Sequence, residues 1–89
     1  MDWEIGLSRQ AEKFLSHRHL PDAFALEPVG RAIRKLQGEI VAVDLKRLSG
    51  MWEGCYRVRV GKIRVIFSMN PVERTALIEI VDNRGSVYR

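Results

Sequence analysis

Arg57, Arg59 and Arg64 recur at alternate positions through two otherwise mostly apolar runs, residues 56–60 and 63–67. A guanidinium stays protonated, so none of the three can take a proton from a substrate. Each can instead clamp a phosphate through two parallel hydrogen bonds. In a strand, side chains alternate between the two faces. Tyr56, Val58 and Val60 then share one face, and Arg57 and Arg59 share the other. Past Gly61-Lys62, Ile63, Val65 and Phe67 continue the apolar face and Arg64 joins the charged one. The pattern predicts a hairpin with three like charges on one side, an arrangement that a folded protein usually tolerates only when an anion binds there. The expectation is that cationic side chains between positions 57 and 84 converge on one pocket that grips a polyanion.

The rest of the chain must position that hairpin. Trp3, Ile5 and Leu7 alternate with Glu4 and Gly6, as in a short strand. Ser8 is a candidate N-cap for a helix over 9–17, with Ala11, Phe14 and Leu15 facing a core. Leu20-Pro21-Asp22 ends it. A second helix carries Val29, Ile33 and Leu36 as its buried stripe and ends near Gly38, a natural C-terminal cap. Its start has two solutions: Pro28 in the first turn, or a kinked helix from about Asp22. Val43, Leu45 and Leu48 suggest a second strand, residues 49–54 a loop with two glycines, and Asn70-Pro71 a turn. Residues 75–81 are rich in Ala, Leu, Ile and Val, so they predict a last, central strand, which the chain leaves at Asp82-Asn83-Arg84-Gly85. The expected architecture is α+β: an N-terminal strand, two helices, then antiparallel strands, with the helices on one sheet face and the arginines on the other.

A chain of 89 residues makes one small domain, residues 1–89. No apolar run approaches the ~18 residues needed to cross a bilayer, and the first residues lack the pattern of a signal peptide. The lone Cys55 rules out an internal disulfide. These features point to the cytoplasm. The net charge is +4, and residues 1–43 contribute none of it, with 6 Lys/Arg against 6 Asp/Glu. Residues 44–89 hold 9 Lys/Arg and 5 Asp/Glu. The basic surplus therefore belongs to the strand-rich half and suits nucleic acid or an acidic protein partner.

Four features resemble the RelE/ParE superfamily of toxin–antitoxin toxins. They are the early strand with Trp3 and its Ala11, Phe14, Leu15 helix; the Leu48-Ser49-Gly50 segment; the Tyr56-to-Phe67 hairpin with its arginines and Gly61; and the terminal Asn83-Arg84 followed by Val87-Tyr88. The resemblance spans nearly the whole chain, and the hairpin is its most specific part. It implies a toxin neutralised by a cognate antitoxin. In the RelE branch such a toxin is a ribosome-dependent endoribonuclease that cuts messenger RNA and inhibits translation. In the ParE branch it inhibits DNA gyrase, and a third possibility is a degenerate module that only binds an antitoxin. The RelE-like reading is favoured.

On that resemblance the catalytic group is Arg57, Arg59, Arg64, Arg84 and Tyr88, with Lys46, Arg47, Lys62 and Arg89 as further RNA contacts. Arg64 and Arg84 match phosphate-binding arginines, and Tyr88 a tyrosine that stacks on a base or donates a hydrogen bond. RNA cleavage by a 2′-hydroxyl needs a proton acceptor, neutralisation of the phosphorane charge, and protonation of the departing 5′-oxygen. The arginines serve the second need. Arg57 and Arg59 stand where the best-known RelE type has lysines, and Asn83 stands where the family has a histidine, so the general base is not identified. Arg84 has a competing role in pairing with Asp82, and Tyr88 in packing a chain end. Cys55 reads as a small buried hydrophobe with no arranged base. His17 and His19 lack a third ligand, so no metal or cofactor is expected. The partners expected are the antitoxin, the ribosome and messenger RNA.

Overall fold

The computed structural model of the chain describes residues 3–83. Arg84, Tyr88 and Arg89 lie outside the described residues.

The first turn of structure follows from Ser8. Its backbone is extended and its hydroxyl accepts the Ala11 N–H at 3.1 Å, so helix α1 (Arg9–His17) starts where β1 (Glu4–Leu7) ends. Helix α2 (Ala23–Leu36) takes the earlier of its two possible starts, and Pro28 lies inside it. The missing Pro28 N–H costs one helical hydrogen bond. Against that cost, the early start lets Ala25 join Val29, Ala32 and Ile33 in full burial on one stripe. Gly38 closes the helix at φ +102°, while Glu39 N–H donates to the Arg34 carbonyl and Gly38 N–H to that of Lys35. That double bond pattern needs a left-handed residue at position 38. Leu36, expected on the buried stripe, is 37% exposed, and it is the last residue of the helix.

Strands β2 (Leu45–Arg47), β3 (Cys55–Val60), β4 (Ile63–Asn70) and β5 (Thr75–Asn83) complete a five-stranded sheet ordered β1-β5-β4-β3-β2. β1 runs parallel to β5, and the other pairs are antiparallel. A 3₁₀ turn, Gly50–Trp52, fills the loop between β2 and β3. The β3–β4 hairpin closes through Gly61 at φ +62° and Lys62, with glycine at the first loop position where a positive φ is required. β5, expected to be central, is an interior strand between β1 and β4, which matches its apolar composition. Its end does not match: β5 runs on through Asp82 and Asn83, where the sequence suggested departure, because Ile63 and Arg64 continue to pair with them.

The helices cover one face only. Ala11, Leu15, Ala25, Val29, Ala32 and Ile33 pack on Val58, Val65, Phe67, Ile78 and Val81. Beyond Ile78, β1 no longer covers the edge of β5, and α1 supplies substitutes. The Ser8 hydroxyl donates to the Glu79 carbonyl at 2.6 Å, and the Gln10 side-chain amide both donates to and accepts from the Val81 backbone at 2.9 Å. No described helix is long and apolar enough to cross a membrane.

One irregularity sets the facing of the last strand. Ile66 pairs with Ile80 but Phe67 pairs with Ile78, so Glu79 is an extra residue in β5. Ile78 and Val81 consequently both enter the helix-side core, three positions apart.

Phe67 is fully buried and centres this core. Phe67→Ala should cost about 3–5 kcal/mol in urea unfolding, with an unchanged denaturant slope. A loss below about 1 kcal/mol would mean that the core is assembled differently.

Candidate functional site

Register puts the expected cations where the alternation predicted. Lys46 lies opposite Arg57, and Arg57 opposite Ile66; one step along, Arg59 lies opposite Arg64, and Arg64 opposite Asp82. Directly opposed residues share a face. Both rows are on the face away from the helices, since their strand neighbours Val58, Val65 and Val81 belong to the helix-side core.

The three arginines do not form a uniform exposed trio. Arg57 is 8% exposed, and its Nη2 donates to Asp44 Oδ1 at 2.9 Å. Its Nε is buried with no hydrogen-bond partner. Register puts its stem beside Ile66, itself 1% exposed, and long basic side chains commonly cover apolar surface in this way. Arg57, expected in the catalytic group, is instead buried in the sheet with its guanidinium paired to Asp44. The cause is Asp44, just ahead of β2, whose carbonyl also accepts the Arg59 N–H at 3.1 Å. A partner 13 residues upstream is not visible in the strand pattern itself.

Arg59 is exposed and Arg64 half-buried. With Gly61 and Lys62 they line a cleft of about 210 Å³ at the hairpin tip. Asp82 flanks it by register. Two directly opposed guanidiniums repel each other, so a bound anion or a neighbouring carboxylate stabilises the pair.

Lys46 and Arg47 separate. Lys46 is on the arginine face, whereas the Arg47 guanidinium lies 5.6 Å from the centroid of Tyr56 on the helix side. Tyr56 in turn stacks on Phe67 at 5.6 Å. Arg47, expected as an RNA contact beside Lys46, is thus on the opposite face from it, because adjacent strand residues point oppositely. Asn83, at the histidine position of the resemblance, pairs with Ile63 on the helix side, and its Oδ1 is buried without a partner.

A separate polar group sits further along the open face. The Ser68 hydroxyl donates to Glu79 Oε2 at 2.9 Å, and Cys55 lies opposite Ser68. Burial, and then the negative charge of Glu79, pushes the Cys55 thiol above its usual range. The neutral thiol is favoured, which argues against nucleophilic use.

No family model matches the sequence, and no curated protein matches it. Solved structures do match its fold. The archaeal RelE from the RelE–RelB complex of Pyrococcus horikoshii is 28% identical, with a TM-score of 0.61 over 98% of this chain and 100% of that one. The Escherichia coli DinJ–YafQ toxin–antitoxin complex contains a chain 17% identical, with a TM-score of 0.63 over 100% of both. A metal-bound toxin from Helicobacter pylori is 12% identical, with a TM-score of 0.69 over 97% of this chain and 99% of that one. The chain has the RelE-like toxin fold, as the sequence resemblance led one to expect.

Two measurements separate structural from available groups. Asp44→Asn should lower stability by about 1–2 kcal/mol, discounted for the exposure of the carboxylate, since a charge-assisted bond to a buried guanidinium is lost. Arg59→Ala should stay within about 0.5 kcal/mol of the parent. Equal losses would contradict the division of roles. For Cys55, iodoacetamide labelling at pH 8 should be slower in the folded chain than in denaturant, and Glu79→Gln should speed it, because removing the negative charge lets the thiol ionise at lower pH.

Proposed function

We propose that this chain is the toxin of a toxin–antitoxin pair, and that it acts as an endoribonuclease on messenger RNA at the ribosome. The observation that carries the reading is the opposed pair Arg59 and Arg64, with Lys62, lining a cleft on the open face of a RelE-like fold. The cleft gathers the positive charges of Arg59, Lys62 and Arg64 on one face. Fixed donors that meet developing negative charge accelerate phosphoryl chemistry most where they are already in place. Lys46 extends the same face and would meet flanking phosphates, which adds affinity but no sequence preference. Arg84 and Tyr88 join the site on the strength of the sequence resemblance, and Arg89 joins the outer contacts.

The partner in this reading is an antitoxin. RelE–RelB and DinJ–YafQ are both complexes of this kind. A basic sheet face that the described helices leave uncovered suits an acidic segment that folds on binding. Such a segment would neutralise the cleft by occupying it or by blocking the approach of RNA.

The test is expression in cells, with messenger-RNA ends mapped and plasmid supercoiling assayed. New RNA ends phased to codons are expected, and Arg59→Ala should lower their yield by about 10²-fold, the effect of removing one fixed charge donor from a reacting centre. DNA breaks without RNA ends would transfer the reading to gyrase inhibition, and neither signal would leave antitoxin binding as the remaining role.

A further inference from the structure

The open face extends well beyond its cationic tip. At the far end Glu4, Gly6, Ser68, Asn70, Thr75 and Leu77 line a cleft of about 630 Å³, larger than the one at the tip. Register puts these six on the open side. Glu4 lies opposite Thr75 and Thr75 opposite Asn70; Gly6 lies opposite Leu77 and Leu77 opposite Ser68. Their strand neighbours Ala76 and Ile78 are in the helix-side core. We infer that this cleft is a nucleobase subsite that takes a base with an exocyclic amine, cytosine above uracil; the inference rests on the RNA reading of the open face given above.

Gly6 leads there first. A glycine inside a strand weakens it, and it commonly marks the close approach of a ligand or of another backbone. Neither backbone nor space demands a glycine here. Its φ is outside the left-handed region, unlike that of Gly38, Gly50, Gly54 and Gly61. A Cβ added to it would meet Leu77 Cδ1 at 3.7 Å, an ordinary contact. The missing side chain leaves room above Leu77, which is 40% exposed and forms an apolar floor.

The walls differ from the tip in sign. Glu4 is exposed, and Glu79 adds a second carboxylate, which accepts from the Ser68 hydroxyl at 2.9 Å. Phosphate is repelled here, and so is an acidic protein segment. A base is neutral and brings a flat ring with hydrogen-bonding edges. Its ring suits the Leu77 floor. A carboxylate accepts from the 4-amino group of cytosine, whereas the 4-carbonyl of uracil sets one acceptor against another. Asn70 Oδ1 accepts the Glu73 N–H at 3.2 Å, which orients the amide and leaves its N–H groups as donors toward the ring acceptors of a base.

The cleft is also at a distance that a single strand can bridge. Cys55, opposite Ser68, is four residues from Arg59 along β3, about 13 Å at the rise of a strand. A base in the cleft thus belongs to a nucleotide flanking the phosphate held at the tip. The two ends divide the work: the cations hold any RNA, and the carboxylate end confers a base preference.

The experiment measures binding of the full chain to two short single-stranded 2′-O-methyl oligonucleotides of equal length, one all cytosine and one all uracil. Neither can be cut through a 2′-hydroxyl. Both carry the same phosphate charge, so their affinity ratio at fixed salt isolates base reading from backbone attraction. The parent should bind the cytosine oligonucleotide about ten-fold more tightly. Gly6→Leu, which fills the cleft, and Glu4→Gln, which swaps the carboxylate for an amide, should each remove most of that ratio. Thermal unfolding checks that both variants fold, and Glu4→Gln, an exposed substitution, decides alone if Gly6→Leu does not. Equal binding of the two oligonucleotides by the parent, or a preference for uracil, would overturn the inference. So would a cytosine preference that persists in either folded variant, since the reading would then lie elsewhere. A parent that binds neither oligonucleotide would remove the RNA reading of the open face, and the inference with it, and would leave the cleft to a protein contact.

Discussion

Side chains in a strand alternate, and a single inserted residue exchanges the two faces for everything beyond it. The whole described face opposite the helices depends on that rule. In β3 and β4 the alternation runs unbroken, so Val58, Val65 and Phe67 enter the core and Arg59 and Arg64 leave it. In β5 the strand must bury Ile78 and Val81, an odd number of positions apart. Only a bulge satisfies both, and Glu79 supplies it. The apolar demand of the core therefore dictates which way the polar end of the strand faces.

Electrostatics then divides a set of chemically identical side chains. Arg57 and Arg59 are two residues apart on one face. Arg57 lies in the sheet interior beside Ile66, where its desolvated charge would be costly without a partner, and Asp44 provides one. Arg59 lies one row nearer the hairpin tip, where solvent supports its charge. The gradient from paired and buried to solvated runs along the hairpin. It leaves the most available positive charge at Gly61 and Lys62, where the cleft opens.

The parts of this structure legible in the sequence are those set by neighbouring residues. Ser8 caps α1 through a bond three residues away, Gly38 and Gly61 adopt the positive φ that their positions require, and the hairpin follows a period of two. The parts that were not legible depend on contacts made across the fold. The pairing of Asp44 with Arg57, the early start of α2 through Pro28, and the bulge at Glu79 each require knowing what packs against what. Arg47 is instructive. Its charge suggested the basic face, but its neighbour Lys46 already occupied that face, and Tyr56 received the guanidinium on the other side.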